Sequence, residues 1–207
     1  YVVPHVLQLF KQEYPLVNVQ LKVVNRAGAL ARISENEDDI VIMGMVPEGK
    51  PLVSIPFLDN ELIPVIAAQS PIAHKKSITM EEFLAQPLLL RELGSGSRLA
   101  FEKFCQQQRI KLRGSMELGS NDAVKHGVLA GLGVAVLPKL SLLPELELGL
   151  LKSPKLKGFP LHRSWCLVYP QAKRLRPTAS AFIEFVQGHL GMIDEHFQFL
   201  AADKIER

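Results

Sequence analysis

Short apolar runs alternate with stretches of helical spacing along almost the whole chain, and this alternation restricts the fold more than any other feature. Pro4 suits a helix start, and Val3, Leu7, Phe10 and Tyr14 recur at helical spacing before Pro15 ends the pattern. Val17, Val19, Leu21 and Val23 then alternate with Asn18, Gln20 and Lys22, which predicts a strand. Ala27 to Ser34 reads as a short helix, and Ile40 to Gly44 as a strand buried on both faces. Leu52–Pro56 and Leu62–Ala68 are two further strand candidates. Thr79 with Glu82 three residues on forms a capping box that opens a helix to about Leu84. A strand at Pro87–Leu90, a helix at Ser97–Gln107 and a strand at Arg113–Leu118 follow. Ser120-Asn121-Asp122 then starts a helix that runs to Ala130, where Gly131 and Gly133 break it ahead of a buried strand at Val134–Leu137. Pro138 to Phe159 is rich in Leu and turn residues and gives no firm pattern. Ser164–Tyr169 reads as a strand, Pro177–Leu190 as a helix, and the residues beyond Gly191 as a tail helix.

Strands and helices in alternation imply an α/β protein with mainly parallel sheets. The block from about Ile63 to Arg163 has its own strands, helices and apolar residues, which predicts a second lobe inserted into the first. The chain would cross twice, near Leu62–Ala67 and Trp165–Tyr169, and leave a cleft suited to a small ligand. At 207 residues with 47% hydrophobic and 22% charged side chains, the chain can bury a core in each lobe. No apolar run reaches the roughly 18 residues that a spanning helix needs, and no signal-peptide pattern opens the sequence. A net charge of +3 with mixed signs gives no argument for nucleic-acid binding by these residues. Cys105 and Cys166 have no metal-ligand spacing and read as buried thiols. These features together predict a cytoplasmic protein.

Several segments resemble one family. Leu90 to Arg98, Leu-Arg-Glu-Leu-Gly-Ser-Gly-Ser-Arg, resembles the "RE-GSGTR" segment of LysR-type transcriptional regulators. Gly119 to Pro138 resembles their "SNEAIKQAVAAGLGIAFLP" segment, Tyr14-Pro15-Leu16-Val17 their "YP-V" helix end, and Leu175 to Phe185 their "LSPAARAFIDFL" segment. Tyr1 to His5 and Asp39 to Gly44 are similar to the branch that controls carbon fixation and inorganic-carbon uptake, the CbbR, CmpR and NdhR regulators. The resemblance implies an effector-binding domain of two Rossmann-like lobes joined by two crossover strands, like type II periplasmic binding proteins. Lobe I would comprise residues 1–62 and 164–207, and lobe II residues 63–163. The winged helix-turn-helix that begins such regulators, and the first strand of the lobe, are expected outside this sequence. Arg176 stands where the family usually has Ser before Pro177, so that helix is expected to lack a side-chain cap.

The candidate chemistry is anion binding. Gly94-Ser95-Gly96-Ser97 precedes a helix whose free N–H groups and positive dipole end can hold an anion, with Arg91 or Arg98 supplying charge. Ser120 and Asn121 open a second helix by the same logic. Ordinary capping explains all of these residues equally well without a ligand. In the other lobe Asn25 and Arg26 follow a strand end and Met43 closes the next strand, at the edge where such sheets bind ligands. A turn residue, a solvated charge and a tight turn at Gly44 are the plainer readings there. No catalytic constellation is found: Ser95, Ser97 and Ser120 lack a nucleophile elbow, and no P-loop or metal spacing is present. Lys173 to Arg176 reads as a solvated loop.

The expected protein is therefore an effector sensor rather than an enzyme, with no cofactor or metal and no membrane contact. Its effector would be a small anionic metabolite; the resemblance implies candidates such as 2-phosphoglycolate, ribulose bisphosphate, NADPH or 2-oxoglutarate. It also implies homodimers of this domain within a homotetramer, with the helices Pro4–Tyr14 and Asn121–Ala130 near the dimer face, and promoter DNA as partner through the missing N-terminal domain. Two alternatives fit the same pattern. One is the solute-binding protein of an uptake transporter. The other is a small two-lobed enzyme of aromatic or tetrapyrrole metabolism, against which Cys105, on the apolar face of a helix, argues.

Overall fold

A computed structural model describes residues 1–202; residues 203–207, assigned above to lobe I, lie outside the described residues. The chain divides into two compact units, residues 1–59 with 164–202, and residues 60–163. The first unit holds helices α1 (Val3–Glu13) and α2 (Arg26–Ser34), strand β1 (Val41–Met43), and the C-terminal helices α7 (Pro177–Gly188) and α8 (Leu190–Ala202). The second holds α3 (Met80–Leu84), β3 (Leu88–Arg91), α4 (Gly96–Gln107), β4 (Gly114–Leu118), α5 (Asn121–Leu129), β5 (Ala135–Pro138), α6 (Leu143–Glu147) and β6 (Leu151–Lys152). Two long strands, β2 (Leu52–Ala67) and β7 (Leu161–Pro170), carry the chain from one unit into the other.

The local signals explain most of these elements. Pro4 lies in the first turn of α1, where its missing N–H costs nothing. Thr79 and Glu82 form the full capping box on α3, with Glu82 N donating to Thr79 Oγ1 at 3.2 Å and Thr79 N to Glu82 Oε2 at 2.9 Å. Arg176 gives α7 no side-chain cap.

Three expectations need correction. Val17–Val23 forms no strand: the segment has no regular secondary structure, Leu16 and Val23 are 97% and 86% exposed, and no strand among the described residues pairs with it. Alternation marks an apolar face, but a strand also needs a partner for its backbone groups. The two strands expected between Leu52 and Ala68 are one, because Pro56 and Asn60 do not interrupt it and Pro64 pairs in register with Val136. A fixed proline φ is compatible with a strand wherever no ladder N–H is required. The sheets are also not mainly parallel. The strand order is β1-β7-β2-β5 with β6 also on β2, and β1–β7, β2–β5 and β2–β6 are all antiparallel. Parallel pairing is confined to β3–β4 and an isolated bridge between Leu88 and Val134.

Each unit has its own core. In the second, Val65, Leu89, Val124, Val128, Ala135, Leu137 and Leu142 pack together, uniting β2, β3, β5 and α5. In the first, Ala29, Ile33, Val41, Met43, Cys166 and Val168 join α2 to β1 and β7. Phe10 of α1 stacks on Tyr14 and meets Phe182 and Phe185 of α7 edge-on. Cys105 and Cys166 are free thiols, both buried.

Candidate functional site

The second unit brings most of the sequence-predicted site residues to one sheet edge. Strands β3 and β4 are parallel neighbours with Leu90 opposite Glu117 and Arg91 opposite Leu118. Helix α4 follows β3 and helix α5 follows β4, so both helix starts lie beyond the carboxyl ends of adjacent parallel strands, the usual ligand edge of α/β sheets. The loop into α4 is a tight turn. Ser95 N donates to Glu92 O at 3.1 Å across Leu93 and Gly94, and Gly94 has a φ of +88°, a left-handed conformation that glycine adopts without strain.

The start of α4 is open for an acceptor. Ser95 is the N-cap residue, is 97% buried by virtue of a 3% exposure, and makes no capping bond with its side chain. The first helical bond is Leu99 N to Ser95 O at 3.1 Å, so the N–H groups of Gly96, Ser97 and Arg98 precede the helical ladder. The start of α5 is more self-contained: Ser120 Oγ accepts from Ala123 N at 3.0 Å, and Asp122 puts a carboxylate in the first turn. That carboxylate already complements the positive end of the helix.

Arg91 reaches from the end of β3 to the start of α5. Its Nη1 donates to Asn121 Oδ1 in the first turn of α5, and its Nε and Nη2 form a two-pronged contact with the carboxylate of Glu92 at 2.8 and 3.0 Å. Arg98 is engaged as well, donating to Glu102 Oε1 at 2.7 Å, to Glu117 and to the Arg91 carbonyl at 3.0 Å. Its two carboxylate partners hold the Arg98 guanidinium above its ordinary pKa, Glu102 contributing most and burial opposing it. The two arginines expected to supply free charge are thus both paired with carboxylates of the same unit. Sequence reasoning missed Glu92, Glu102 and Glu117. Glu92 was within reach of a local argument, since it adjoins Arg91 in the resembling segment, whereas Glu117 comes close only through strand pairing.

A depression of about 330 Å³ lies on the flank of α4, lined by Arg98, Glu102, Leu112, Met116 and Glu117 among others. It offers two carboxylates against one guanidinium and none of the candidate serines, which makes it a poor place for an anion.

In the first unit the predicted residues have structural tasks. Asn25 caps α2, its Oδ1 accepting from Gly28 N at 2.9 Å. Arg26 Nε donates to the carbonyl of Met45 at 2.6 Å, closing the loop after β1, where Met45 has a left-handed φ of +53°. Met43 is 3% exposed and packs in the core of that unit.

Comparison with known proteins agrees with this architecture. Residues 1–191 match the LysR substrate binding domain. The chain is 35% identical over 189 residues to the HTH-type transcriptional activator CmpR of a Synechocystis species, covering 91% of this chain and 62% of that protein. It is 41% identical over 186 residues to the RuBisCO operon transcriptional regulator of Acidithiobacillus ferrooxidans, covering 90% and 60%. The chain thus spans a little under two thirds of the length of these relatives. Among solved structures, the Synechocystis CcmR regulatory domain in complex with 2-PG matches with a TM-score of 0.82 and 32% identity, over 90% of this chain and 89% of that one. The effector binding domain of QuiR in complex with shikimate shares the fold, with a TM-score of 0.82 at 18% identity, over 93% of this chain and 91% of that one. With the family match extending over residues 1–191, this chain belongs to the LysR substrate binding domain family.

Proposed function

We propose that this domain is the effector sensor of a cytoplasmic regulator of carbon-fixation or inorganic-carbon-uptake genes, and that a small anionic metabolite binds where α4 and α5 begin. The observation that carries the reading is the Arg91 contact with Asn121, which holds a guanidinium at the start of α5, beyond the ends of two parallel strands. The buried, uncapped Ser95 and the N–H groups of Gly96 and Ser97 supply the donors. Ser97, Arg98 and Ser120 complete the set. A phosphorylated hydroxy acid such as 2-phosphoglycolate is the favoured effector, because the CcmR domain, similar over nine tenths of the chain, was solved with 2-PG. In the intact protein the domain would form homodimers within a homotetramer, and the effector would shift the balance between two states according to its differential affinity for them. DNA contact would come from a part of the protein other than these residues.

The test is calorimetric titration with 2-phosphoglycolate. Saturable binding is expected, and Ser97→Ala should weaken it about tenfold, the scale of one hydrogen bond to a charged group. Absence of binding by the unaltered chain, or an unchanged affinity in both Ser95→Ala and Ser97→Ala, would remove the reading.

A further inference from the structure

We infer that Glu92 is a built-in counter-ion of the anion site: it balances the charge of the Arg91 guanidinium, and an incoming anion must displace it. This rests on the reading of the second unit given above. A two-pronged guanidinium–carboxylate contact is the strongest pairing available to Arg91. It is shielded, with the Arg91 and Glu92 side chains only 13% and 20% exposed, so salt and water screen it weakly. Glu92 is also fixed in place by its own backbone. Its N–H donates to Leu118 O at 3.1 Å, and its carbonyl accepts from Ser95 N at 3.1 Å across the Gly94 turn. The carboxylate therefore belongs to the same turn that presents the amides of α4.

The chemical consequence concerns selectivity. With Glu92 on Arg91, and with Glu102 and Glu117 on Arg98, this edge offers an anion hydrogen-bond donors but little net positive charge. A monoanion gains little by exchanging one carboxylate for another. A dianion such as a phosphate monoester gains more, because two charges compete with one for the same guanidinium. Glu92 thereby acts as a specificity determinant that discriminates by charge, while Asn121 keeps Arg91 at the start of α5 during the exchange.

The experiment is titration of the full chain at mildly alkaline pH with inorganic phosphate as dianion and acetate as monoanion. The proteins are the unaltered chain, Glu92→Gln, and the double variant Arg91→Gln/Glu92→Gln, with Glu92→Ala as a second single variant should the glutamine form fold poorly. The expected result is that Glu92→Gln binds phosphate about fivefold more tightly, binds acetate with a smaller penalty relative to phosphate, and loses both gains when Arg91 is also replaced. If the unaltered chain binds phosphate and Glu92→Gln binds it equally or less well, the counter-ion role is overturned while the site survives. If the gain persists in the double variant, it does not act through Arg91 and the inference is equally overturned. If neither the unaltered chain nor Glu92→Gln binds any anion, the inference and the site reading fall together.

Discussion

At Gly133 the main chain leaves no room for a side chain. A Cβ there would lie 2.0 Å from the carbonyl oxygen of Pro87 and 2.9 Å from its carbon, both backbone atoms. The neighbouring residue uses that closeness: Val134 N donates to Pro87 O at 2.8 Å and Leu89 N to Val134 O at 2.9 Å, which sets β3 beside the strand that follows. Gly133→Ala should therefore cost about 3 kcal/mol, at the upper end of overpacking penalties. Urea denaturation measures it, and a loss below about 1 kcal/mol would mean that the β3 edge yields more easily than the geometry implies. Residues of this kind were partly legible beforehand. Gly131 and Gly133 were read as helix breakers, and Thr79, Asn25 and Ser120 sat where a cap or turn belongs, because caps and turns are decided within a few residues. The partners of the charged candidates were not legible. Arg91 meets Asn121 thirty positions away, and Arg98 on α4 meets Glu117 on β4, nineteen positions away. Such pairings follow from the sheet register rather than from neighbours in sequence.

Among the elements, α8 is held to α1 by an unusual contact. His196 Nε2 lies 3.1 Å from His5 Nδ1, with Phe197 edge-on to both rings, and His189 at the junction of α7 and α8 pairs with Glu13 of α1 at 3.2 Å. A hydrogen bond between two imidazoles needs one nitrogen without a proton. Burial, and next the nearby His196, lower the His5 pKa below the ordinary value of 6.5. The sign follows from linkage. A base whose folded-state pKa is depressed binds fewer protons when folded than when unfolded, so its contribution is complete above the unfolded value and is lost as pH falls through the folded one. The thermal midpoint of the unaltered chain should accordingly fall more steeply below pH 6.5 than that of His5→Gln. Hydrogen exchange should show the loss as faster exchange of the α8 amides. Parallel pH profiles for the two proteins would contradict this. The strand elements teach a different lesson. Val17–Val23 has the alternation of a strand and lacks the partner, while β2 has Pro56 and Asn60 as apparent punctuation and runs through both. Periodicity reports which face is apolar, whereas pairing is a property of two segments at once.

For the whole molecule, the alternation of helices and strands was enough to give the α/β class, and the resembling segments pointed to the family that the comparisons then established. The predominance of antiparallel pairs was not foreseen, because β2 and β7 run long enough to serve both units and each pairs with strands of opposite direction. The proposed homodimer is a prediction at this scale. Sedimentation velocity should show a dimer, and the thermal midpoint should rise with protein concentration, because association stabilises the folded chain by mass action. A monomer at about 100 µM with a concentration-independent midpoint would refute it. The placement of the cysteines has one more consequence. Cys105 lies in the unit of residues 60–163 and Cys166 in the other, and burial, followed by the charge of Glu102, pushes the Cys105 thiol up to about 11. Alkylation needs an accessible thiolate, so each sulfur is a natural clock for the opening of its own half: peptide-resolved iodoacetamide labelling would time the two halves independently, with no engineered probe.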